Sequence, residues 1–253
     1  MTATTLALVG ATGGAGTTRT AIELAAMGVR DGRDVAVVDA AFATQGLSEY
    51  VPGRIGTDLT TLITDRTDAS LTAATYAADI GRDVDTPARA DLLPARAPFE
   101  RVARAKTVEA ARELERRIEE AASGYDAVIV DGSPVASNES VAAVTTADRV
   151  IGVRPATPHG RDALQRLRGR VADVGSGIDG TLAVARREET VETDAATDAD
   201  IVVPPTAPEI STAPTAVADD GEYARSIAEA YEELFGTSVG VSFEEDGLID
   251  RFR

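Results

Sequence analysis

The sequence has no cysteine, no tryptophan and only one histidine, and each shortage removes a class of site. Without cysteine there are no disulfides and no thiolate metal centres. His159 alone cannot form a histidine metal cluster, and its place at the start of a helical pattern predicts a surface residue. No apolar run reaches the roughly 18 residues of a membrane-spanning helix. The N-terminus has no basic segment typical of a signal peptide. We therefore expect a cytoplasmic protein.

The chain is also nearly free of lysine and strongly acidic. Forty-two acidic residues face 25 basic ones, for a net charge of −17, and Lys106 is the only lysine. This composition resembles that of proteins from extreme halophiles, where salt shortens the Debye length to about 3 Å and net charge maintains solubility. The acidity argues against non-specific binding to DNA, which needs a basic stripe. No nucleic-acid partner is predicted.

A glycine-rich stretch follows the first apolar run, 6–9, and a helical pattern begins directly after it. A strand, a glycine loop and a helix in this order direct backbone N–H groups at a phosphate. Two motifs fit the stretch. The P-loop pattern G-x-x-x-x-G-K-[ST] fits if Thr17 stands at the lysine position. The dinucleotide loop G-x-x-x-G-x-G of short-chain dehydrogenases fits Gly10, Gly14 and Gly16, so the loop alone leaves both open.

The downstream residues argue against a dehydrogenase. Asp39 closes the second strand, near the place where an acid binds the ribose of a dinucleotide. Short-chain dehydrogenases resemble one another in a Tyr-x-x-x-Lys pair, however, and Val102 stands four residues before Lys106. A catalytic pair of that form is therefore absent. A non-catalytic NAD(P)-binding Rossmann-like protein remains as an alternative.

Short apolar runs alternate with amphipathic patterns along the chain, which predicts an α/β fold with a mostly parallel sheet and helices on both faces. We expect a single domain over 1–236, a C-terminal tail over 237–253 and a polar loop over 187–200. The predicted strands are 6–9, 34–39, 89–95, 125–131, 147–153, 181–185 and 201–203. The predicted helices are 20–30, two short ones within 57–79, 106–123, 161–174 and 222–235.

Several segments, in order, resemble the ParA/MinD group of dimerising P-loop ATPases, the deviant Walker A class. Residues 13–18 (GGAGTT) resemble the end of its K-G-G-x-G-K-T-T loop. The strand ending at Asp39 resembles its strand closed by D-x-D, and 42–47 resembles its first switch. Residues 125–134 (YDAVIVDGSP) resemble its Walker B strand and second switch. Residues 147–155 resemble its A-D-x-V-I-x-V-x-x-P segment. The resemblance implies a P-loop NTPase-like fold.

The family resemblance also implies ligands and partners. It implies ATP or ADP with Mg²⁺, a partner protein and a homodimer. Asp39 and Asp131 fit strand-end caps equally well, and both roles stay open at this point. The implied nucleotide-binding residues are Gly13, Gly14, Ala15, Gly16, Thr17 and Thr18, and the implied Mg²⁺ ligands are Thr18, Asp39 and Asp131.

The departures from the family pattern concern charge. Thr12 and Thr17 stand at its two lysine positions, and Ala41 stands at the second acid of D-x-D. Phosphoryl transfer depends on positioning and electrostatic stabilisation, and one lost contact of that kind costs about 2.7–4 kcal/mol. We therefore predict no catalytic residues and a pseudo-ATPase that acts as a protein-interaction or positioning and partition scaffold. An ATP-binding switch ATPase is the alternative. Because family dimers use the lysine that Thr12 replaces, dimerisation stays open.

Three arginines and the tail complete the predictions. Arg19, one step into the first helix, is close enough in sequence to reach a phosphate. Arg186 and Arg187 follow a strand where the family contacts the base, but the accompanying asparagine is absent, so a solvated surface pair is predicted. Residues 248–253 are short and follow acidic residues, so packing or disorder is predicted for them and membrane association is not.

Overall fold

The computed structural model describes residues 3–80, 86–207, 209–218 and 220–243. In this part of the chain eight strands form one sheet in the order β3-β4-β2-β5-β1-β6-β7-β8, parallel throughout except for the β3–β4 pair. The strands are β1 (Thr4–Gly10), β2 (Val35–Asp39), β3 (Tyr76–Ala77), β4 (Ala90–Leu93), β5 (Ala127–Gly132), β6 (Arg149–Pro155), β7 (Gly180–Val184) and β8 (Ile201–Val203).

Helices cover both faces of this sheet, which confirms the predicted fold class. The α-helices are α1 (Thr17–Arg30), α2 (Leu59–Thr64), α3 (Phe99–Ala105), α4 (Val108–Gly124), α5 (Asn138–Thr146), α6 (Pro158–Asp173), α7 (Asp194–Thr197) and α8 (Glu222–Phe235). Short 3₁₀ helices lie at Gly46–Tyr50, Leu71–Ala74, Glu188–Thr190 and Ile210–Thr212.

The strand pleat divides the core into two layers. In β1, Leu6 and Leu8 belong to the layer formed with α1 and α8, whereas Ala7 and Val9 belong to the layer formed with α2 to α6. All four side chains are at most 1% exposed. Alternate residues of a strand point to opposite faces, so a strand that is apolar at every position must be covered on both. The short apolar runs in the sequence therefore indicated central strands correctly.

Side-chain caps fix where several helices begin. The carboxylate of Asp58 accepts from the N–H of Thr61 at the start of α2. The hydroxyl of Thr157 accepts from the N–H of Gly160 at the start of α6, where Pro158 occupies the first turn. Such caps satisfy N–H groups that the helix itself leaves unpaired. The start of α6 at Pro158 is thus set three residues before the predicted boundary.

Several elements differ from the sequence-based prediction, among them the second short helix predicted within 57–79, which is a 3₁₀ turn at Leu71–Ala74. The helices α3 and α5 and the strand β3 were not predicted, and the predicted loop 187–200 contains the one-turn helix α7. All are short, and tertiary contacts stabilise them more than local propensity does. The buried Arg154, for example, donates to the Ala195 carbonyl and pairs with Asp198, which holds α7 against β6 and β7.

The first residues after α8 continue along the domain surface. Val239 and Phe243 pack, partly buried, against the layer of α1 and α8, and the N–H of Gly240 donates to Asp31 Oδ1 at 2.7 Å. The predicted tail residues 244–253, including 248–253, lie outside the described residues. Within the described ranges, no helix combines the length and apolar character that crossing a membrane would take.

We expect Gly160→Ala to destabilise the protein. A Cβ at Gly160 would lie 2.2 Å from the carbonyl oxygen of Pro155, a backbone atom that is fixed in β6. Over-packing of this kind costs about 1–3 kcal/mol, which chemical denaturation would measure as a lower free energy of unfolding.

Gly169→Ala, in the same helix, is the matched control. A Cβ there meets nothing within 4 Å, and replacing glycine by alanine inside a helix stabilises it by about 0.5–1 kcal/mol. Equal effects of the two substitutions would show that the close approach at Gly160 is unimportant.

Candidate functional site

The site lies where β1, β2 and β5 end side by side. These strands are neighbours in the sheet and run parallel, so the loops after them meet at one edge. A cavity of about 370 Å³ opens there. Open α/β sheets bind ligands at this edge, outside the carboxyl ends of the strands. The cavity is lined by residues 10, 12–19, 41, 44, 46, 131–134 and 186.

The glycine loop forms the floor of this cavity. Gly14 and Gly16 have φ angles of 69° and 97°, a left-handed region that glycine adopts without a steric penalty. A Cβ on Gly16 would also lie 3.3 Å from the methyl groups of Val184 at the end of β7. Gly16 is the N-cap of α1, which has no side-chain cap and no acid in its first turn. Its first N–H groups are therefore suited to an anion.

Thr18 and Asp131 meet beside the loop. The hydroxyl of Thr18 donates to Asp131 Oδ2 at 2.6 Å, and the buried Oδ1 of Asp131 has no hydrogen-bond partner. The backbone of Gly46, in the predicted first switch, lies against the Thr18 hydroxyl. An unpaired buried carboxylate oxygen next to a hydroxyl fits Mg²⁺, which binds through one or two carboxylates together with phosphate oxygens. In the described ranges no three His, Cys, Asp or Glu side chains cluster at a metal-sized site.

Asp39 lies below the cavity and differs from Asp131 in its contacts. It is fully buried, stands opposite Asp131 across the β2–β5 pair, and is not among the lining residues. Its Oδ1 accepts the N–H of Ala41 at 2.9 Å and its Oδ2 accepts the N–H of Ala95 at 3.2 Å. These bonds connect the ends of β2 and β4. Of the three implied Mg²⁺ ligands, the structure therefore brings Thr18 and Asp131 to the cavity and places Asp39 behind them.

The two carboxyl groups are electrostatically coupled. Burial, together with the charge of Asp131, raises the pKa of Asp39 to about 8, although its backbone N–H partners oppose the shift. Burial raises the pKa of Asp131 to about 6, opposed by the hydrogen bond from Thr18. Two neighbouring carboxylates without a cation disfavour ionisation of both. The hydrogen bond from Thr18 favours the ionised form of Asp131, whereas burial and the charge of Asp131 disfavour the ionised form of Asp39.

The predicted first switch is attached to the segment after β4. The Gln45 side chain donates to the carbonyl of Ala97 at 3.0 Å and accepts its N–H at 2.8 Å. Gln45 is the only non-glycine residue of the described ranges with a positive φ, 54°. Two hydrogen bonds to one residue stabilise this backbone conformation, so the loop and the segment 95–99 are held together.

Arg19 lines the cavity, but its guanidinium is engaged by other side chains. Its Nε pairs with Glu23 Oε1 at 2.6 Å and its Nη2 donates to the hydroxyl of Thr215 at 2.6 Å. The buried carboxylate of Glu23 also accepts the N–H groups of Thr215 and Ala216. Arg19 and Glu23 therefore connect α1 to the segment after β8. Sequence alone did not show this long-range contact.

Arg186 makes a contact with the glycine loop that the prediction of a solvated surface pair did not include. Its side chain is exposed, but its Nη2 donates to the carbonyl oxygen of Gly14 and the residue lines the cavity. Arg187 is exposed as predicted. The position of Arg186, two residues after β7, brings it to the loop because β7 lies two strands from β1. Strand order cannot be read from a local sequence pattern, so no motif near Arg186 indicates this contact.

The sheet order, the glycine loop and the Thr18–Asp131 pair define a P-loop NTPase-like fold. A family model described as an AAA domain matches residues 3–183. The match covers more than half of the chain, so the chain belongs to this family.

Solved structures agree with this assignment at the level of the fold. The chain is similar to MinD from Pyrococcus horikoshii complexed with Mg-ADP, at 18% identity and a TM-score of 0.68, covering 91% of this chain and 95% of that one. It is similar to apo McdA from Cyanothece, at 17% and 0.63, covering 92% and 96%. It is similar to cobyrinic acid a,c-diamide synthase from Mycobacterium smegmatis with bound ADP and magnesium, at 19% and 0.67, covering 96% and 100%. No curated protein sequence matches significantly.

We expect Asp39→Asn to change how stability depends on pH. Because the folded-state pKa of Asp39 is raised from 3.8 to about 8, the folded protein holds a proton that the unfolded chain releases, and its contribution to stability is lost as pH rises through this window. The variant lacks this dependence. Measured without nucleotide or Mg²⁺, the free energy of unfolding of Asp39→Asn should increase relative to that of the wild type as the pH rises, by up to about 1.4 kcal/mol for each pH unit. Denaturation at several pH values would measure it.

Asp65→Asn is a control for which the opposite pH dependence is expected. A hydrogen bond from Arg104 lowers the pKa of Asp65, so its contribution is present above the unfolded pKa and is lost on acidification. Asparagine at position 39 also loses an acceptor for a backbone N–H, which shifts stability equally at every pH. Parallel pH curves for the wild type and Asp39→Asn would contradict the raised pKa.

Proposed function

We propose that this protein is a non-hydrolysing member of the ParA/MinD-like family that acts as a protein-interaction scaffold in a positioning or partition process. The observation that carries the proposal is the charge of the cavity. Of its lining residues, only Arg19 and Arg186 are basic, and Arg19 is paired with Glu23. Neither basic residue belongs to the glycine loop between β1 and α1.

The loss of charge affects the transition state more than it affects binding. Phosphoryl transfer accumulates negative charge between the attacking and leaving oxygens, and fixed cations stabilise it. Thr12 and Thr17 supply hydroxyl groups in place of two ammonium groups, and Ala41 supplies no carboxylate to orient water. Each lost contact costs about 10²–10³ in rate. With all three groups missing, the site is poorly suited to ATP hydrolysis, and a structural role fits it better.

The same cavity supports binding of ATP or ADP with Mg²⁺ as a structural ligand. Residues 13–18 present the loop amides and the N-terminus of α1 to a phosphate. When bound, Mg²⁺ would neutralise phosphate charge. Thr18 and Asp131 are the groups of this chain placed to hold it, whereas Asp39 supports them from behind. The Thr18–Asp131 contact is the specific observation that favours a nucleotide-binding role beside the scaffold role.

A scaffold of this kind implies protein partners, and we include a homodimer and a separate partner protein in the proposal. The segment 95–99 is attached to the predicted first switch through Gln45. Gly46 follows Gln45 in the chain and lies next to the Thr18 hydroxyl. A ligand bound at Thr18 would therefore contact Gly46, and through Gln45 it would affect the position of the segment 95–99. This coupling provides a way to present a different surface to a partner with and without ligand.

Purified protein with Mg²⁺ and ATP, at low and at molar salt, should show no ATP hydrolysis above the uncatalysed rate. The physical reason is the missing positive charge at Thr12 and Thr17. Release of inorganic phosphate over time measures it. Robust Mg²⁺-dependent turnover by the wild type would refute the proposal.

The double variant Thr12→Lys/Thr17→Lys is the matched comparison. The two lysines should make ATP bind at least about tenfold more tightly to the double variant than to the wild type, because each charged hydrogen bond contributes about 1.5–3 kcal/mol. Hydrolysis detectable only in the variant would support the explanation by charge. Circular dichroism and a thermal melt would establish that both proteins are folded.

Thr18→Val should abolish the dependence of nucleotide binding on Mg²⁺. Valine has nearly the same shape as threonine but lacks the hydroxyl that donates to Asp131 and is placed to bind the metal. Calorimetric titration of ATP with and without Mg²⁺ would compare the two proteins, with Thr44→Val as the control because Thr44 lines the cavity but bonds to the Ala41 carbonyl. An unchanged Mg²⁺ effect in Thr18→Val would exclude this site.

A further inference from the structure

The guanidinium of Arg186 is the one positively charged group that the described part of the chain places at the mouth of the cavity without an acidic partner. Its Nη2 bonds to the carbonyl of Gly14, and within the described ranges it forms no ion pair. Arg19, the other basic residue lining the cavity, is neutralised by Glu23. The charge of Arg186 is therefore available to a ligand.

The backbone around Arg186 is fixed with respect to the loop. Val184, two residues earlier, packs against the position where Gly16 would carry a Cβ, at 3.3 Å. The N–H of Ala185 donates to the carbonyl of Val203, and the N–H of Ala156 donates to the carbonyl of Val184, so neighbouring strands hold the end of β7 on both sides. The side chain thus extends from an ordered strand end directly over the loop.

The contact between Arg186 and Gly14 positions the guanidinium without satisfying its charge. The guanidinium is already ionised, but the backbone carbonyl is a neutral acceptor, whereas a phosphate oxygen adds the opposite charge and lets two N–H groups bond in parallel. Gly14 is exposed, so its carbonyl can bond to water when the arginine leaves it. Exchange of the carbonyl for a phosphate therefore costs little and gains a charged contact.

We propose that Arg186 supplies, from the end of β7, the positive charge that the glycine loop lacks, and that it binds the phosphate chain of a polyphosphate ligand lying in the cavity. The inference rests on the nucleotide site of the proposed function and specifies its recognition chemistry. The ligand class is a Mg²⁺-bound nucleoside di- or triphosphate, whose phosphates would contact the loop amides and Arg186, while Thr18 and Asp131 would hold the Mg²⁺.

An arginine approaching from a neighbouring strand differs from a lysine carried by the loop itself. Its planar guanidinium can bond to two oxygens of one phosphate, which favours binding. It comes from the side of the loop opposite to Asp131, as β7 and β5 lie on opposite sides of β1 in the sheet. A phosphate chain between them would meet the guanidinium directly on one side and, on the other, a Mg²⁺ ion that Thr18 and Asp131 would hold, since the carboxylate alone would repel phosphate. This arrangement accounts for binding without a cation in the loop.

Inorganic tripolyphosphate with Mg²⁺ tests the proposal because it has no base. Calorimetry and thermal shift would measure its affinity, and that of Mg-ATP, for the wild type, Arg186→Gln and Arg186→Lys. Arg186→Gln should weaken both ligands by about tenfold, the lower end for a charged hydrogen bond, given the exposure of the side chain. Arg186→Lys should restore part of the affinity, since it keeps the charge and loses the paired donors.

Arg168→Gln is the matched control for net charge. Arg168 is exposed on α6, does not line the cavity and lies within the described residues. Its substitution removes the same charge and should leave both affinities unchanged. If Arg168→Gln lost as much affinity as Arg186→Gln, the cause would be the net charge of the protein and not a contact of Arg186. That result would overturn the proposal.

Three further outcomes would overturn the proposal. Weaker ATP binding with unchanged tripolyphosphate binding in Arg186→Gln would place the arginine on the base. Tighter binding in that variant would show that Arg186 obstructs the loop. If the wild type bound no polyphosphate in either assay, the proposed role of Arg186 would be wrong, whereas the proposal of a non-hydrolysing scaffold would still stand. ATP hydrolysis by the wild type would refute the scaffold proposal and leave the role of Arg186 measurable, so the two failures are distinguishable.

Discussion

Two aspartates buried side by side are the constraint on which the centre of this molecule depends. Asp39 and Asp131 end adjacent parallel strands in register and are at most 1% exposed. Burial without a cation is costly for a pair of carboxylates. The structure offsets that cost with N–H donors from Ala41 and Ala95 and with the hydroxyl of Thr18. The turns after β2 and β4 and the first turn of α1 are thereby fixed.

Asp39 and Asp131 have different roles in this arrangement. Asp39 has both oxygens bonded to backbone N–H groups and a raised pKa, so it connects strand ends. Asp131 keeps one oxygen unpaired and accepts the hydroxyl of Thr18 with the other. A metal ion at the cavity would meet Asp131 and Thr18. Sequence reasoning treated the two aspartates alike because each closes an apolar strand, and only the register and the hydrogen bonds separate them.

The sequence predicted most of the fold because its central strands are buried on both faces. Runs such as 35–39 and 127–131 are apolar at nearly every position, and glycines mark the loop that follows β1. Elements whose stability comes from distant partners were missed. The helix α7 has four residues and is held by the buried Arg154, which belongs to β6. No local pattern within 187–200 indicates that contact.

The candidate site shows the same limit. The residues 13–18 and Asp131 were predicted because each lies in a local motif. Arg186 was predicted as solvated because the asparagine that accompanies it in the family pattern is absent, and its contact with Gly14 depends on where β7 lies in the sheet. Strand order follows from packing of the whole domain, which a local window does not contain.

The shape of the glycine loop and its charge carry different information. Gly16 lies close to Val184 and its φ of 97° favours glycine, so packing against β7 is sufficient to retain this residue. A loop of this shape is consequently compatible with a protein that binds no nucleotide. Charge is more informative, because an exposed guanidinium over the loop adds nothing to packing and only a little to stability. The placement of Arg186, rather than the glycines, is therefore the feature that argues for an anionic ligand.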